Sequence, residues 1–216
     1  MSSFAGHSLA AITVYVATGC VILPQGDRPQ PLKVNPKQLI WLGCLIVIAS
    51  IPDLDYVAQS WNSSNNQGLR VTHSLVFSLI APCLAIAVLR LLKSQRIWLR
   101  SCQATFAGLS HLVLDLLVGV TPLPLLFPLI KIPFKLPFGI LPSAGKIDLY
   151  NYYFYRNLGL EMGVLMPLFL ITCLFGYDKV LTAKNPLPFR FFGLMLAIAL
   201  LICAGHFMQQ NLQLPR

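Results

Sequence analysis

Imidazole and carboxylate side chains are the most informative groups for chemistry in this sequence. The 216 residues include only seven acidic side chains and four histidines, so each can be weighed separately. His111 and Asp115 are four positions apart, and positions i and i+4 of a helix lie on the same face. Both side chains are ligands for Zn²⁺ and similar divalent ions. The pair therefore predicts half of a metal site on a helix.

Five further ionisable residues lie inside or at the edge of apolar runs. An Asp at the centre of a membrane span costs about 2.5–3.5 kcal/mol on insertion scales. Ionisable residues at such positions are therefore candidates for a functional site. They are His7, Asp53, Asp55, His73 and Glu161.

The composition indicates a membrane protein. Hydrophobic residues make up 56% of the chain and charged residues 11%, whereas an ordinary globular domain has about 25% charged residues. This argues against a disordered chain and against a soluble domain. In a membrane protein, the formal net charge of +9 is explained by Lys and Arg residues that set the orientation of the chain and attract anionic lipid. No nucleic-acid partner is predicted.

Six apolar runs could form membrane-spanning helices, each of which needs about 20 residues. The second is the weakest, because Pro52 and the two aspartates after it interrupt the run. Residues 121–142 are apolar but rich in proline, which breaks helices, and they predict an interfacial or re-entrant segment. The expected fold is all-α, a polytopic helical membrane protein with one domain over residues 1–216. The runs cover about residues 4–23, 38–57, 72–92, 101–120, 157–177 and 189–208.

The alternation of these spans brings the candidate residues to one face of the membrane. Odd-numbered spans begin at the face where even-numbered spans end. His7, His73 and Glu161 lie near the starts of odd spans, and the remaining candidates lie near the ends of even ones. The convergence depends only on the parity of the spans, so it holds for either orientation.

The distribution of Lys and Arg predicts which face this is. Loops on the side opposite the candidate residues carry ten of these cations, and the termini and loops on the candidate side carry six. The positive-inside rule then predicts that the candidate residues lie on the extracytoplasmic face of the membrane.

A cluster of this kind favours one or two divalent ions. Carboxylates that pack together repel each other, and a divalent cation relieves that repulsion. Two ions bridged by an aspartate would polarise a phosphoryl oxygen and activate a water molecule. Membrane lipid is an expected partner, and a small-molecule or lipid phosphoester is the expected substrate, because the site would lie at head-group depth.

Other interpretations of these residues remain open. His111 and Asp115 could form an interhelical hydrogen bond without a metal, and Thr72 could cap the third span beside His73. A metal- or proton-coupled transporter also needs intramembrane carboxylates and histidines, although its ligands are expected near the midplane on repeated, broken helices. A non-catalytic membrane protein with a structural metal is a further alternative.

The motifs resemble those of the bacterial membrane-bound metal-dependent hydrolases, a YdjM-like family. That family has an N-terminal His, a PDxD segment, a THS segment and an HxxxD segment. A Gly- and Pro-rich apolar stretch follows HxxxD in the family, as it does here from Gly119 onward. The resemblance covers about residues 4–165, and it implies a location in a bacterial inner (plasma) membrane. The corresponding residues are His7, Pro52 to Asp55, Thr72 to Ser74, and His111 to Asp115.

The order of the ligands is also similar to that of zinc-dependent phospholipase C and the single-strand-specific zinc nucleases. This resemblance implies zinc, with manganese as the other candidate, held by His7, Asp53, His73, His111 and Asp115. Two positions depart from the patterns. The family often has His-Arg-Gly before THS, where this chain has Gly68-Leu69-Arg70-Val71. Asn157 stands four residues before Glu161, where the zinc enzymes have a further His.

The sequence thus predicts a membrane-embedded, metal-dependent hydrolase. Asp53, His73, His111 and Asp115 would hold the main ion, and His7 would bind a second ion or position the water. Asp55 or Glu161 would act as a base or supporting ligand. Arg70 would either contact the substrate phosphate or only mark the topology.

Overall fold

Six α-helices make up most of the described chain. The computed structural model describes residues 3–22, 36–54, 70–119, 121–136, 139, 141, 150–176, 193–202 and 205–206. The two stretches of 3-10 helix, Ile51–Asp53 and Val71–His73, lie after the second helix and before the third. The helices are α1 Phe4–Ile22, α2 Pro36–Ser50, α3 Leu75–Leu91, α4 Ile97–Val118, α5 Tyr152–Gly176 and α6 Gly193–Ile202.

The structure confirms the all-α membrane class. Three helical stretches, Pro36–Asp53, Ile97–Val118 and Tyr152–Leu174, are long and apolar enough to cross a membrane. The helices near the first, third and sixth predicted spans are shorter apolar helices within the described residues. The count of six spans therefore stays a prediction.

Helix boundaries differ from the predicted spans where polar residues join a helix or end one. α5 begins at Tyr152, five residues before the predicted span, because tyrosines and Arg156 extend the helix although they lower its hydropathy. The second span was expected to run to about residue 57. Its α-helix ends at Ser50 and a 3-10 turn follows, since Pro52 has no N–H to continue the ladder.

Helix α4 occupies the centre of the bundle and packs against α1, α2 and α3, while α1 also packs against α2 and α5. The contact between α1, α2 and α4 consists largely of small side chains, because Ala11, Ala49, Ala104 and Ala107 are all fully buried there. Small residues let helix backbones approach closely in a membrane. This packing fixes α4 relative to the ends of α1 and α2.

The contact between α3 and α4 is equally close at one glycine. A Cβ atom on Gly108 would lie 2.7 Å from the backbone oxygen of Ser78 and 2.8 Å from the Pro82 ring. Pro82 is inside α3, and proline cannot donate a hydrogen bond to the carbonyl four residues earlier. The absence of a side chain at Gly108 therefore sets the separation of the two helices.

The proline-rich segment after α4 folds back on the same end of the bundle as the start of α3. Leu123 and Phe134 pair through two backbone hydrogen bonds of 2.8 and 2.7 Å. The Leu75 N–H donates to the Leu125 carbonyl at 2.9 Å. The tip exposes Leu129 and Ile132, at 86% and 77%. Such side chains suit an interfacial segment, which stays a prediction.

Candidate metal centre

Four helices bring their ends together around a group of histidines and aspartates. His7 lies in the first turn of α1, and Asp53 lies in the 3-10 turn that ends α2. His73 lies in the 3-10 turn before α3, and His111 and Asp115 lie near the end of α4. We call this the site end of the bundle. It contains all five residues that the sequence analysis proposed as metal ligands.

Local sequence explains how each segment presents its ligand. Ser74 caps α3, because its hydroxyl accepts a hydrogen bond from the Phe77 N–H at 3.2 Å. Thr72, which the sequence suggested as a cap, instead contacts His73 Nδ1 at 3.0 Å. α4 ends at Val118, and the next residue, Gly119, has a left-handed φ of 60°, which suits glycine at a helix C-terminus. The helix thus stops one turn after Asp115.

Four of the five residues point one atom each at a common space. His73 Nε2 lies 3.2 Å from Asp115 Oδ2 and 3.7 Å from Asp53 Oδ1. His111 Nε2 lies 3.7 Å from Asp115 Oδ2 and 3.8 Å from Asp53 Oδ1. One ligand atom from each of the four lies within 4.8 Å of all the others. This group could hold a metal ion.

His7 faces the opposite oxygen of each carboxylate. Its Nε2 lies 3.6 Å from Asp53 Oδ2 and 3.8 Å from Asp115 Oδ1. Its ring stacks on His111, with centroids 3.9 Å apart and planes inclined by 14°. The two aspartates therefore stand between two sets of imidazole nitrogens, and each carboxylate presents one oxygen to each set.

The site is buried, with one accessible side. The side chains of the three histidines and Asp115 have no exposed surface, and that of Asp53 is 23% exposed. Two ionised carboxylates among neutral imidazoles give a charge of −2, which is costly to bury without compensation. A divalent cation supplies equal and opposite charge.

The donor atoms fit a metal on two further observations. Among the described residues, no hydrogen-bond partner meets the buried atoms His7 Nε2, His111 Nε2 and Asp53 Oδ1. Buried polar atoms are rarely left in this state. In addition, two ligand atoms of a tetrahedral zinc ion lie about 3.4 Å apart, and the nitrogen–oxygen separations here run from 3.2 to 3.8 Å. Separations of this size suit ligand atoms that share one ion.

Hydrogen bonds orient two of the imidazoles. His111 Nδ1 lies 2.7 Å from the carbonyl oxygen of Ala49, and because a carbonyl only accepts, this nitrogen carries the proton. The lone pair of the neutral ring then lies on Nε2, which faces the carboxylates. The Thr72 hydroxyl beside His73 Nδ1 leaves the Nε2 of that ring facing the carboxylates too.

Glu161 connects α5 to the start of α1. The Ser3 backbone N–H donates to both Glu161 carboxylate oxygens at 3.0 Å. Ser3 in turn caps α1, since its hydroxyl accepts from the Gly6 N–H and its carbonyl from the His7 N–H, both at 3.0 Å. Glu161 is fully buried and lies outside the four-residue group. Its contacts hold the turn that carries His7.

The remaining predicted residues lie at the margin or outside the described chain. Arg70 is partly exposed, and its carbonyl accepts the His73 N–H at 3.0 Å. Asp55 lies outside the described residues. The roles assigned to both stay predictions.

Sequence reasoning missed the groups that orient the ligands. The contact of His111 with the Ala49 carbonyl cannot be predicted from residue type, because every residue has a backbone carbonyl. The bond from Ser3 to Glu161 joins positions 158 residues apart and also uses a backbone group. Thr72 was visible in the sequence beside His73, but its type suggested a cap.

The fold and the site define a helical integral membrane protein with a His/Asp cluster that could hold a metal ion. The sequence profile of the YdjM inner membrane protein family matches residues 1–211. The chain belongs to this family, and it is an integral inner-membrane protein. Searches of curated proteins and of solved structures found no significant match.

The family match confirms the YdjM-like part of the resemblance. It leaves hydrolase activity, the likeness to the zinc enzymes and the orientation in the membrane as predictions. No finding tests the expected lipid and phosphoester partners.

Proposed function

We propose that this protein is a metal-dependent hydrolase of a phosphoester, with its site on the extracytoplasmic face of the inner membrane. The main support for this proposal is that the two oxygens of each carboxylate face different histidines. Asp53 Oδ1 and Asp115 Oδ2 face His73 and His111, while their other oxygens face His7. A site that only braced helices would need one set of ligands.

The two sets differ in the number of protein ligands. His73, His111 and one oxygen from each aspartate provide four, the number typical of a closed structural zinc site. His7 and the two remaining oxygens provide three, which is typical of catalytic zinc sites that leave one position open. We therefore assign the four-ligand set to a firmly held ion and the three-ligand set to the ion that meets substrate.

A divalent ion in such a site supplies Lewis acidity toward a phosphoryl oxygen and an activated water. The residues of the chain supply position and exclusion of solvent. The Ala49 carbonyl and Thr72 fix the ring orientations of His111 and His73. Full burial of the histidines keeps bulk water from their nitrogens, and the partial exposure of Asp53 marks the side from which substrate enters.

Three further residues complete the proposed roles. Arg70, three positions before His73, would contact the substrate phosphate, for which a guanidinium is well suited. Asp55, two positions after Asp53, would act as a base or a supporting ligand. Glu161 is proposed as a positioning residue, because its contact with Ser3 holds the turn of α1 that carries His7.

The proposed substrate class rests on the charge of the site and on its position at the helix ends. A site with divalent ions and an adjacent Arg favours an anionic phosphoester over a neutral ester. The site lies at the helix ends, and the apolar segment 121–136 contacts the start of α3 at the same end. Both features favour a phosphoester lipid that reaches the site from the outer leaflet.

The test is hydrolysis by the full chain, purified in detergent and supplied with zinc or manganese. Phosphatidylglycerol, phosphatidylcholine and a soluble phosphodiester would be compared as substrates. His7→Ala is expected to abolish turnover and to lower bound metal from two ions to one. Glu161→Gln, which keeps an acceptor for Ser3, is expected to retain both ions and most activity.

The matched control is His206→Ala, because His206 is an exposed histidine on another segment. It should leave turnover and metal content unchanged. A wild-type protein that holds metal but hydrolyses none of the three substrates would refute the hydrolase proposal in favour of a structural metal. Metal flux into proteoliposomes without hydrolysis would favour a transporter.

A further inference from the structure

A second feature of the bundle lies at the end opposite the metal centre. A groove of about 400 Å³ opens between the start of α2, the end of α3 and the start of α4. Arg100 at this groove and Asp115 at the metal centre are 15 residues apart on α4, which is about 22 Å along a helix axis. The groove and the metal centre are therefore separate sites on opposite sides of the membrane core.

The wall of the groove is apolar and faces outward. Cys44 and Val88 line it and are exposed on the surface of the bundle. The helices that form it are apolar enough to lie in a membrane, so the groove opens toward lipid. Its volume lies in the range of sites that bind small molecules, about 300–1,000 Å³.

Two cations stand at its mouth. Lys37 is the second residue of α2, and Arg100 is the fourth residue of α4. Arg100 donates to the Ser94 hydroxyl at 3.3 Å, and among the described residues no carboxylate lies within 4 Å of its guanidinium. A guanidinium has five N–H donors, and a cation at the edge of a membrane span needs an anion or water.

A fixed aromatic ring holds Arg100 in this place. The guanidinium carbon lies 5.5 Å from the ring centroid of Trp41, a cation–π distance. The Trp41 indole N–H donates to Gln103 Oε1 at 2.7 Å, and Gln103 Nε2 donates to the Tyr15 carbonyl at 3.3 Å. Gln103 is buried, so the ring that supports Arg100 is anchored to the bundle interior.

The charged residues that the structure describes are distributed unevenly between the two ends of the bundle. The three acidic residues that the structure describes, Asp53, Asp115 and Glu161, all lie at the site end. The end with the groove carries Arg90 and Arg96 in addition to its two lining cations. We call it the cationic end. A groove with cations at its mouth and an apolar wall complements an amphiphile with an anionic head.

We propose that this groove is a binding site for an anionic phospholipid of the inner membrane. The head-group phosphate would contact Arg100 and Lys37, and an acyl chain would lie along Cys44 and Val88. Basic pockets between membrane helices on the cytoplasmic side bind anionic lipids in this way. The proposal is independent of the hydrolase proposal, because it uses none of the metal-centre residues.

The test is native mass spectrometry of the full-length protein in detergent. It would be titrated with phosphatidylglycerol and with phosphatidylcholine of the same acyl chains. Wild type is expected to hold phosphatidylglycerol more tightly. The double variant Lys37→Gln/Arg100→Gln should weaken that binding about thirtyfold, because a cation near an anionic lipid surface contributes about 1 kcal/mol.

The matched control removes two cations from the same end that do not line the groove, Arg90→Gln/Arg96→Gln. It should retain at least most of the preference for phosphatidylglycerol. An equal loss in the control would show attraction to net charge alone and would overturn the proposal. Equal binding of the two lipids by wild type would also overturn it.

A second pair of variants tests the groove itself without changing charge. Cys44→Phe fills the groove, whereas Val47→Phe places the same phenyl ring at an exposed position one turn further along α2. Cys44→Phe should lower phosphatidylglycerol binding, and Val47→Phe should not. Unchanged binding in Cys44→Phe would contradict a lipid whose chain occupies the groove.

Discussion

The two ends of the helix bundle differ in the charge and the packing of the side chains they hold. The metal centre at the site end holds two carboxylates and three imidazoles with almost no exposed surface. The cationic end holds Lys37 and Arg100 around an open apolar groove. The same helices, α2, α3 and α4, contribute to both ends.

This difference shows how one small bundle can hold rigid metal ligands at one end and an accessible, cationic surface for lipid at the other. A metal centre needs ligands fixed to within a fraction of an ångström, and the close contacts of Ala49, Ala107 and Gly108 provide that rigidity. Contact with lipid needs accessible surface and cations, which the helix ends on the other side provide. The predictions below test whether the two ends are independent.

The largest expected effect is stabilisation by metal that acts through the site end alone. A divalent ion at a hundred times its dissociation constant should raise the free energy of unfolding by about 2.7 kcal/mol, and chelation should reverse this. Thermal unfolding in detergent measures the change. Arg100→Gln should respond to the ion as wild type does, and His111→Ala should respond much less, because it removes one ligand of the four-ligand set. An equal response in His111→Ala would place the binding elsewhere.

The next effect concerns the packing that positions the site. Gly108→Ala places a Cβ 2.7 Å from the Ser78 carbonyl oxygen, and overpacking of this kind costs about 1–3 kcal/mol. It should lower both the unfolding temperature and the metal affinity, because α3 and α4 carry His73 and His111. The control is Gly43→Ala, since nothing lies within 4 Å of a Cβ there. Full retention of stability in Gly108→Ala would show that the helices can separate at no cost.

A smaller effect is expected at the cap of α3. Ser74→Ala removes the acceptor for the Phe77 N–H, and loss of such a cap costs about 1 kcal/mol. Metal affinity should fall as well, because His73 precedes the cap directly. Ser101→Ala, near the start of α4, should change neither quantity. Denaturation and metal titration of both variants and of wild type measure the stability and the metal affinity. A Ser74→Ala variant that matches Ser101→Ala in both would contradict this role of the cap.

The smallest effect is expected for Gln103, whose side chain anchors the ring that supports Arg100. Gln103→Leu removes the bonds from Trp41 and to Tyr15, and interhelical hydrogen bonds in membranes contribute about 0.6 kcal/mol on average. It should weaken phosphatidylglycerol binding, because Arg100 loses its fixed ring, and should leave metal content unchanged. A loss of metal in Gln103→Leu would show that the two ends are coupled.

The sequence predicted the class of fold and the meeting of the site residues because both depend on simple patterns. Apolar run length indicates membrane helices, and the parity of the spans brings His7, Asp53, His73, His111 and Asp115 to one end. Spacing alone indicated that His111 and Asp115 share a helix face, and the structure places both on α4.

Other parts of the structure depend on contacts that residue types do not encode. The early start of α5 at Tyr152 follows from helix formation by polar and aromatic residues outside the apolar run. The division of carboxylate oxygens between His7 and the other two histidines depends on side-chain direction. The groove at Lys37 and Arg100 lies between three helix ends, an arrangement that no single segment specifies.

The most direct test of the central claim is the metal content of the full-length protein, purified in detergent after exposure to zinc or manganese. The account predicts stoichiometric metal in wild type and its loss in the double variant His111→Ala/Asp115→Ala, with the Arg90→Gln/Arg96→Gln variant unchanged. Little or no bound metal in a well-folded, repleted wild type would contradict the account, since the His/Asp cluster would then be a purely polar contact between helices.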